Sequence, residues 1–349
     1  MIKRCANATQ LDSLKSRLIL IFLFISLILL KSGFDMYGDS HIKESAELFP
    51  IPYDGTSSNY LAVLTYKYLN MTLPIWLLLN ALMIVLFILS IGISVHRDFT
   101  LSKYLIVMTL FVNSPSVTTV LQQLGHYQTF YIILSVLFAA VKSKIFTLFF
   151  GALMVVSSPE YSFISLLLLF FWGKAFSDSR FDQRIKIFLI TAACFSLLNL
   201  FVMSKLEIAS RIDALRPNFQ QSFLSFLGSG YVGIYAGFGS IWILILLILR
   251  SSILSKRNWT YLILIFLILV FFYAITADGT RVFVGLSSIL LSPIIYKFIE
   301  VCRGKTTREV AILVWILPNF ISELGSPYFK VPFEFMNRSD IRKLLDLFG

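Results

Sequence analysis

The sequence predicts an all-α, polytopic integral membrane protein, built as a single membrane domain over residues 1–349. Two observations predict it. Hydrophobic residues make up 57% of the chain and charged residues 14%, with a mean hydropathy of +0.81. An ordinary soluble domain is about 25% charged, so this chain lacks the polar surface to cover a water-soluble globule. The apolar runs are also continuous rather than alternating, which fits membrane helices and excludes a β-barrel. Soluble enzymes, nucleic-acid-binding modules and disordered proteins are excluded by the same composition.

Eleven apolar segments follow one another, at roughly 17–31, 73–95, 103–121, 127–141, 145–157, 160–172, 186–203, 231–249, 259–276, 281–299 and 309–322. The first follows Lys3, Arg4, Lys15 and Arg17, and no small-residue cleavage site comes after Leu30. It reads as an uncleaved first membrane helix. Asn113-Ser114-Pro115-Ser116 breaks the third, so the stretch beyond Pro115 is expected to re-enter rather than span. Segments 127–141, 145–157 and 160–172 fall short of the ~20 residues a bilayer needs. They either borrow polar flanks or act as half-helices lining a cavity.

The net charge of +11 has a membrane explanation. With the N-terminus in the cytoplasm, 19 of the 30 Lys and Arg fall on the segments left inside, against 6 of the 19 acidic residues. This is the positive-inside rule, and it calls for no nucleic acid. The layout leaves two long outer loops, about 32–72 and 204–230, and outer turns at 113–128, 157–160 and 276–281. Lys330, Arg338, Arg342 and Lys343 leave the side of the C-terminal tail open. Cys5, Cys194 and Cys302 have neither metal-ligand nor disulfide spacing. No P-loop, dinucleotide fingerprint, HExxH or G-x-S-x-G is present.

The residues able to carry chemistry lie on the outer side. Asp35, Asp39 and His41 follow the first helix, where a carboxylate at the membrane edge is suited to act as a general base. The plainer reading is turn chemistry. Gln122, Gln123, His126, Tyr127 and Gln128 open the fourth segment with groups that suit sugar hydroxyls, or that merely cap a half-helix. Glu160 starts the sixth segment as one of few carboxylates near membrane depth. A helix N-terminus also favours an anion there. Arg211 and Arg216 lie outside the positive side and call for an anionic partner, or pair with Glu207 and Asp213. Arg281 stands at the mouth of a helix against the charge bias, and either meets a phosphate or clamps Asp278.

The order of these features resembles the Wzy/EpsG-like polymerases of bacterial O-antigen and exopolysaccharide. The residues carrying the likeness are the loop Gly33-Phe34-Asp35-Met36-Tyr37, the short helix ending in Lys142-Ser143-Lys144, the outer turn 157–160, and Arg281-Val282-Phe283. Gln123 and His126 stand where such proteins often carry an arginine, and Pro159-Glu160 where they often carry a histidine.

The resemblance implies a GT-C-like fold of about 11 transmembrane or re-entrant helices in a bacterial inner membrane. It implies a metal-independent glycosyltransferase without a cofactor, joining undecaprenyl-pyrophosphate-linked oligosaccharides at the periplasmic face. Lipopolysaccharide or related polysaccharide biosynthesis is the implied setting, with a chain-length regulator as a further partner. Asp35, Asp39 or Glu160 would then be the base. Arg281 with Arg211 or Arg216 would hold pyrophosphate, and Gln123, His126 and Tyr127 would bind sugar. The chain also resembles GT-C-type glycosyltransferases that use a polyprenyl-phosphate sugar, through the acidic first outer loop. A lipid-linked saccharide transporter is the alternative of another class, although no internal repeat is visible.

Overall fold

The computed structural model describes residues 14–32, 39–48, 60–96, 99–126, 128–141, 143–178, 180–205, 219–252, 254–276, 279–302, 304–317, 319, 321–323 and 326–328. These residues are helical apart from short connections and one small hairpin. In order, the helices are α1 (Leu14–Ser32), α2 (Asp39–Leu48), α3 (Tyr60–Tyr68), α4 (Leu73–His96), α5 (Leu101–Val112), α6 (Pro115–Gln122), α7 (Gln128–Ala140) and α8 (Lys144–Ser157). There follow α9 (Pro159–Phe176), α10 (Arg180–Lys205), α11 (Phe219–Phe238), α12 (Trp242–Ser251), α13 (Lys256–Ile275), α14 (Gly279–Ser287), α15 (Leu291–Val301) and α16 (Lys305–Ile316). Strands β1 (Ile321–Glu323) and β2 (Ser326–Tyr328) pair antiparallel.

Among the described residues, four helical stretches are long and apolar enough to cross a membrane: Leu73–Val95, Gly233–Ser251, Lys256–Ile275 and Arg281–Val301. The pair α5 and α6 makes a fifth if counted as one span, bent by 48°. The bend falls at Asn113-Ser114, within the break that the sequence predicts. Ser114 caps α6 by accepting from the Val117 amide, and Pro115 occupies the first helical position, where a missing N–H costs nothing.

Burial sorts the helices. Nearly every residue of α7 is buried, and so is most of Arg281–Val301. A helix apolar all round belongs in a core, and α7 packs against α4, α6, α8, α14 and α15. Peripheral α13 instead exposes Ile263, Leu267 and Phe271, a surface suited to lipid chains.

The structure adds detail to two of the stretches read from sequence and corrects a third. The loop 32–72 holds two helices, α2 and α3, which pack on each other through Ile42, Ala46, Ala62 and Val63 around Trp76. Within the stretch 204–230, α11 begins at Phe219, and the part long and apolar enough to cross a membrane starts at Gly233. The eleventh apolar segment does not run helically to 322. Helix α16 stops at Ile316, and Leu317 is extended (ψ 140°) because a residue before proline is driven out of the helical region.

Side-chain bonds define the two ends of the bundle. Lys31, Asn113 and Leu317 meet at one end, where Trp76 also meets Gly125 and Gln128 meets Tyr161. The end of α16 therefore lies beside the end of α1. The opposite end carries Lys103, Lys144, Lys174, Arg184, Arg250, Lys256, Lys297 and Lys305.

Candidate functional site

The site is built from polar turns that the sequence separates widely. Gly125 (φ +90°) turns the chain between α6 and α7, with Leu77 and Trp76 packed where a side chain would project. Trp76 Nε1–H donates to the Gly125 carbonyl at 2.8 Å and fixes this turn to α4. Thr129 Oγ1 donates to the His126 carbonyl at 2.7 Å and lies 3.2 Å from Asn80 Oδ1. His126 is thereby held buried at the entrance of α7.

Arg281 reaches it from α14. Its Nη1 lies 3.0 Å from His126 Nε2, and the guanidinium-bearing residue is only 6% exposed. The other imidazole nitrogen, Nδ1, faces the Gln128 amide N–H at 3.2 Å. An uncharged imidazole has one accepting nitrogen and one N–H. It can therefore accept from only one of these two donors at a time.

Helix α9 brings the third turn. Gln128 Nε2 donates to the Tyr161 hydroxyl at 3.4 Å, beside Glu160 in the first turn of α9. Ser165 Oγ donates to the Leu286 carbonyl at 3.2 Å. Ser165 follows Glu160, and Leu286 follows Arg281, by the same number of residues, so the two charged residues start adjacent parallel helices at one level. Below them, Tyr131 donates to Ser165 at 2.7 Å and Ser135 bonds Ser288, which tie α7 to α9 and to the turn that follows α14.

Helices α7, α9 and α14 thus open at one end of the bundle. Their N-termini carry partial positive charge, and Arg281 adds a full one. Around them several buried polar atoms make no hydrogen bond with the described residues: Glu160 Oε2, Gln128 Oε1, Ser157 Oγ and Ser158 Oγ. Buried polar groups normally have partners. This set combines a carboxylate oxygen, an amide oxygen and two hydroxyls, groups that hydrogen-bond a polyhydroxylated ligand. No group of three or more His, Cys, Asp or Glu able to hold a metal ion occurs among the described residues.

Of the residues expected from sequence, the structure brings Arg281 and His126 together and sets Glu160 on the neighbouring helix. Gln123 is buried and closes α6 through its amide to Thr119 O. Asp39 opens α2, but its side chain lies outside the described residues, as do Asp35, Tyr127, Arg211, Arg216 and Asp278.

Sequence reasoning missed Trp76, Asn80 and Tyr161, whose roles come only from the turns they hold. It also missed Lys31, though a lysine closing an apolar helix on the side that avoids cations was a readable signal.

Protein-family models, curated proteins and solved structures yield no match to this chain.

Proposed function

We propose that the chain is a polysaccharide polymerase of a bacterial inner membrane. On this reading it joins undecaprenyl-pyrophosphate-linked oligosaccharide repeat units at the periplasmic face, for O-antigen or a related surface polymer. A GT-C-like arrangement of about 11 spans and re-entrant helices, with the N-terminus in the cytoplasm, belongs to the same proposal.

The observation that carries it is the buried Arg281–His126 contact, at the end of an apolar bundle where three helix N-termini open beside Glu160. A lipid-linked pyrophosphate needs a cation at the mouth of a membrane bundle, and a guanidinium meets phosphate oxygens as a fork. A ligand oxygen between Arg281 and a His126 Nε2–H would accept from both, relieving the competition of two donors for one ring.

In the reaction, the carboxylate of Glu160, Asp35 or Asp39 takes the proton of an acceptor sugar hydroxyl. The freed oxygen attacks the anomeric carbon of the donor chain. The bond from that carbon to the pyrophosphate oxygen breaks, and undecaprenyl pyrophosphate departs with the electron pair. Arg281 stabilises the developing charge, with Arg211 or Arg216 as further cations. The chemistry calls on no metal ion or cofactor.

A strain lacking the gene tests this. Lipopolysaccharide capped by a single repeat unit, restored to a ladder by the wild-type chain, is the expected result. Repeat units that each lack one sugar would instead indicate a GT-C-type transferase using a polyprenyl-phosphate donor. Accumulated lipid-linked repeats on the cytoplasmic side would indicate a transporter.

A further inference from the structure

Lys31 closes α1 with its side chain 3% exposed. Its ammonium donates to Asn113 Oδ1 at 2.8 Å and to the Leu317 carbonyl at 3.2 Å, and lies 5.3 Å from the Trp315 ring centre. No carboxylate pairs with it among the described residues. The charge sits instead where α1, α5 and α16 end. Helix C-termini carry partial negative charge, and an aromatic face attracts a cation. The surroundings compensate the ammonium and would repel an anion, so this is not a second phosphate site.

What Lys31 grips is the elbow between α5 and α6. Asn113 donates from Nδ2 to the Thr109 carbonyl at 2.8 Å, and its own carbonyl accepts from Asn319 Nδ2 and from Ser240 Oγ at 3.3 Å. Asn319 Oδ1 in turn accepts from the Ser240 amide at 2.9 Å. Three separate pieces of chain therefore converge on the elbow: α1, the 3-10 turn Gly239–Ile241, and the segment after α16. From this bend α6 runs with all of its residues buried to Gln122, and the next turn ends in His126. Helix α6 has the elbow at one end and, past Gln122, the turn that carries His126 at the other.

We infer that Lys31 is a positioning residue, whose ammonium locks the α5–α6 elbow and so aims His126 at Arg281. The catalytic meaning of this rests on the polymerase reading, but the lock itself does not. In the locked state His126 is buried, with Arg281 Nη1 beside Nε2 and the Gln128 amide beside Nδ1. Loosening the elbow frees the turn and exposes the ring.

The test reads His126 protection, not polymer. The chain has three histidines. In a His41→Gln, His96→Gln background, purified protein in nanodiscs is treated with diethyl pyrocarbonate well below its melting temperature. Carbethoxylation of His126 is expected to be slow with Lys31 in place and about tenfold faster in Lys31→Met, as local opening becomes easier. A residue that only stabilised the bundle would lower the melting temperature and leave His126 protected, which would overturn the inference.

If Lys31→Met does not accumulate, Asn319→Ser loosens the same elbow from the opposite side. Folded Asn319→Ser with His126 still protected would equally overturn it. Loss of protection with polymerisation absent even in the wild-type chain would leave the lock standing and remove the polymerase.

Discussion

Arg281 Nη1 and His126 Nε2 lie 3.0 Å apart, although 155 positions separate the two residues in the chain. The contact fastens the start of α14 to the turn entering α7, in a setting where the guanidinium residue is almost wholly buried. It joins two residues that sequence reasoning singled out for separate reasons, and it is the natural place to begin dissecting the site.

Arg281→Lys keeps the charge but loses the fork. Polymer synthesis is expected to fall about tenfold, and in Arg281→Ala by about a hundredfold or more, as for loss of a preorganised electrostatic donor. Membrane protein level, measured beside the lipopolysaccharide ladder, should stay near normal. Normal ladders in both variants would remove Arg281 from the site.

The pair can be tested as a pair. Arg281→Ala, His126→Ala and the double variant form a cycle whose melting temperatures give a coupling energy. Groups in direct contact are expected to couple by about 0.5–3 kcal/mol. Strictly additive losses would mean that the contact contributes nothing to the folded state.

Glu160→Gln preserves shape and removes the charge. If Glu160 takes the acceptor proton, the ladder should collapse to one repeat at unchanged protein abundance. Asp35→Asn and Asp39→Asn are compared beside it, since all three remain candidate bases. Full-length polymer in all three would leave the proposed proton transfer without a residue.

Gly239 sits at φ +50°, and a β-carbon there would approach Asn319 Oδ1 to 2.1 Å. Gly239→Ala should therefore disturb the bond from Ser240 to Asn319 and destabilise the protein by about 1–3 kcal/mol. Thermal unfolding in detergent measures this. An unchanged melting temperature would show that the 3-10 turn adjusts freely.

The shared end of α1 and α16 makes a topological prediction. In a background free of Cys5, Cys194 and Cys302, cysteines at Asn59 and Ser339 should label from the periplasm, and one at Ser179 only after permeabilisation. Labelling of Ser179 but not of Asn59 in intact cells would overturn the orientation.

Much of the frame is legible without coordinates. Apolar run length located α4 to α9 and α13 to within a few residues, but it placed the starts of α10 and α11 too late and read α11 with α12, and α14 with α15, as single segments. Pro115 with Ser114 marked the bend, because proline at a helix start and a capping hydroxyl are local chemistry. Arg281, His126 and Glu160 stood out because polar groups at apolar borders are rare and costly.

Their assembly was not legible, since it depends on which helices run side by side. That Glu160 and Arg281 begin parallel neighbours follows from the packing of α9 on α14 and the bond from Ser165 to Leu286. The turn at His126 is fixed by Trp76, nearly fifty positions earlier. Lys31 meets Asn113 and Leu317 only because the ends of α1, α5 and α16 coincide in space. Sequence periodicity records whether a residue faces apolar or polar surroundings. It does not record which partner supplies them, and in a bundle of similar apolar helices only close packing and the pairing of buried polar groups decide that.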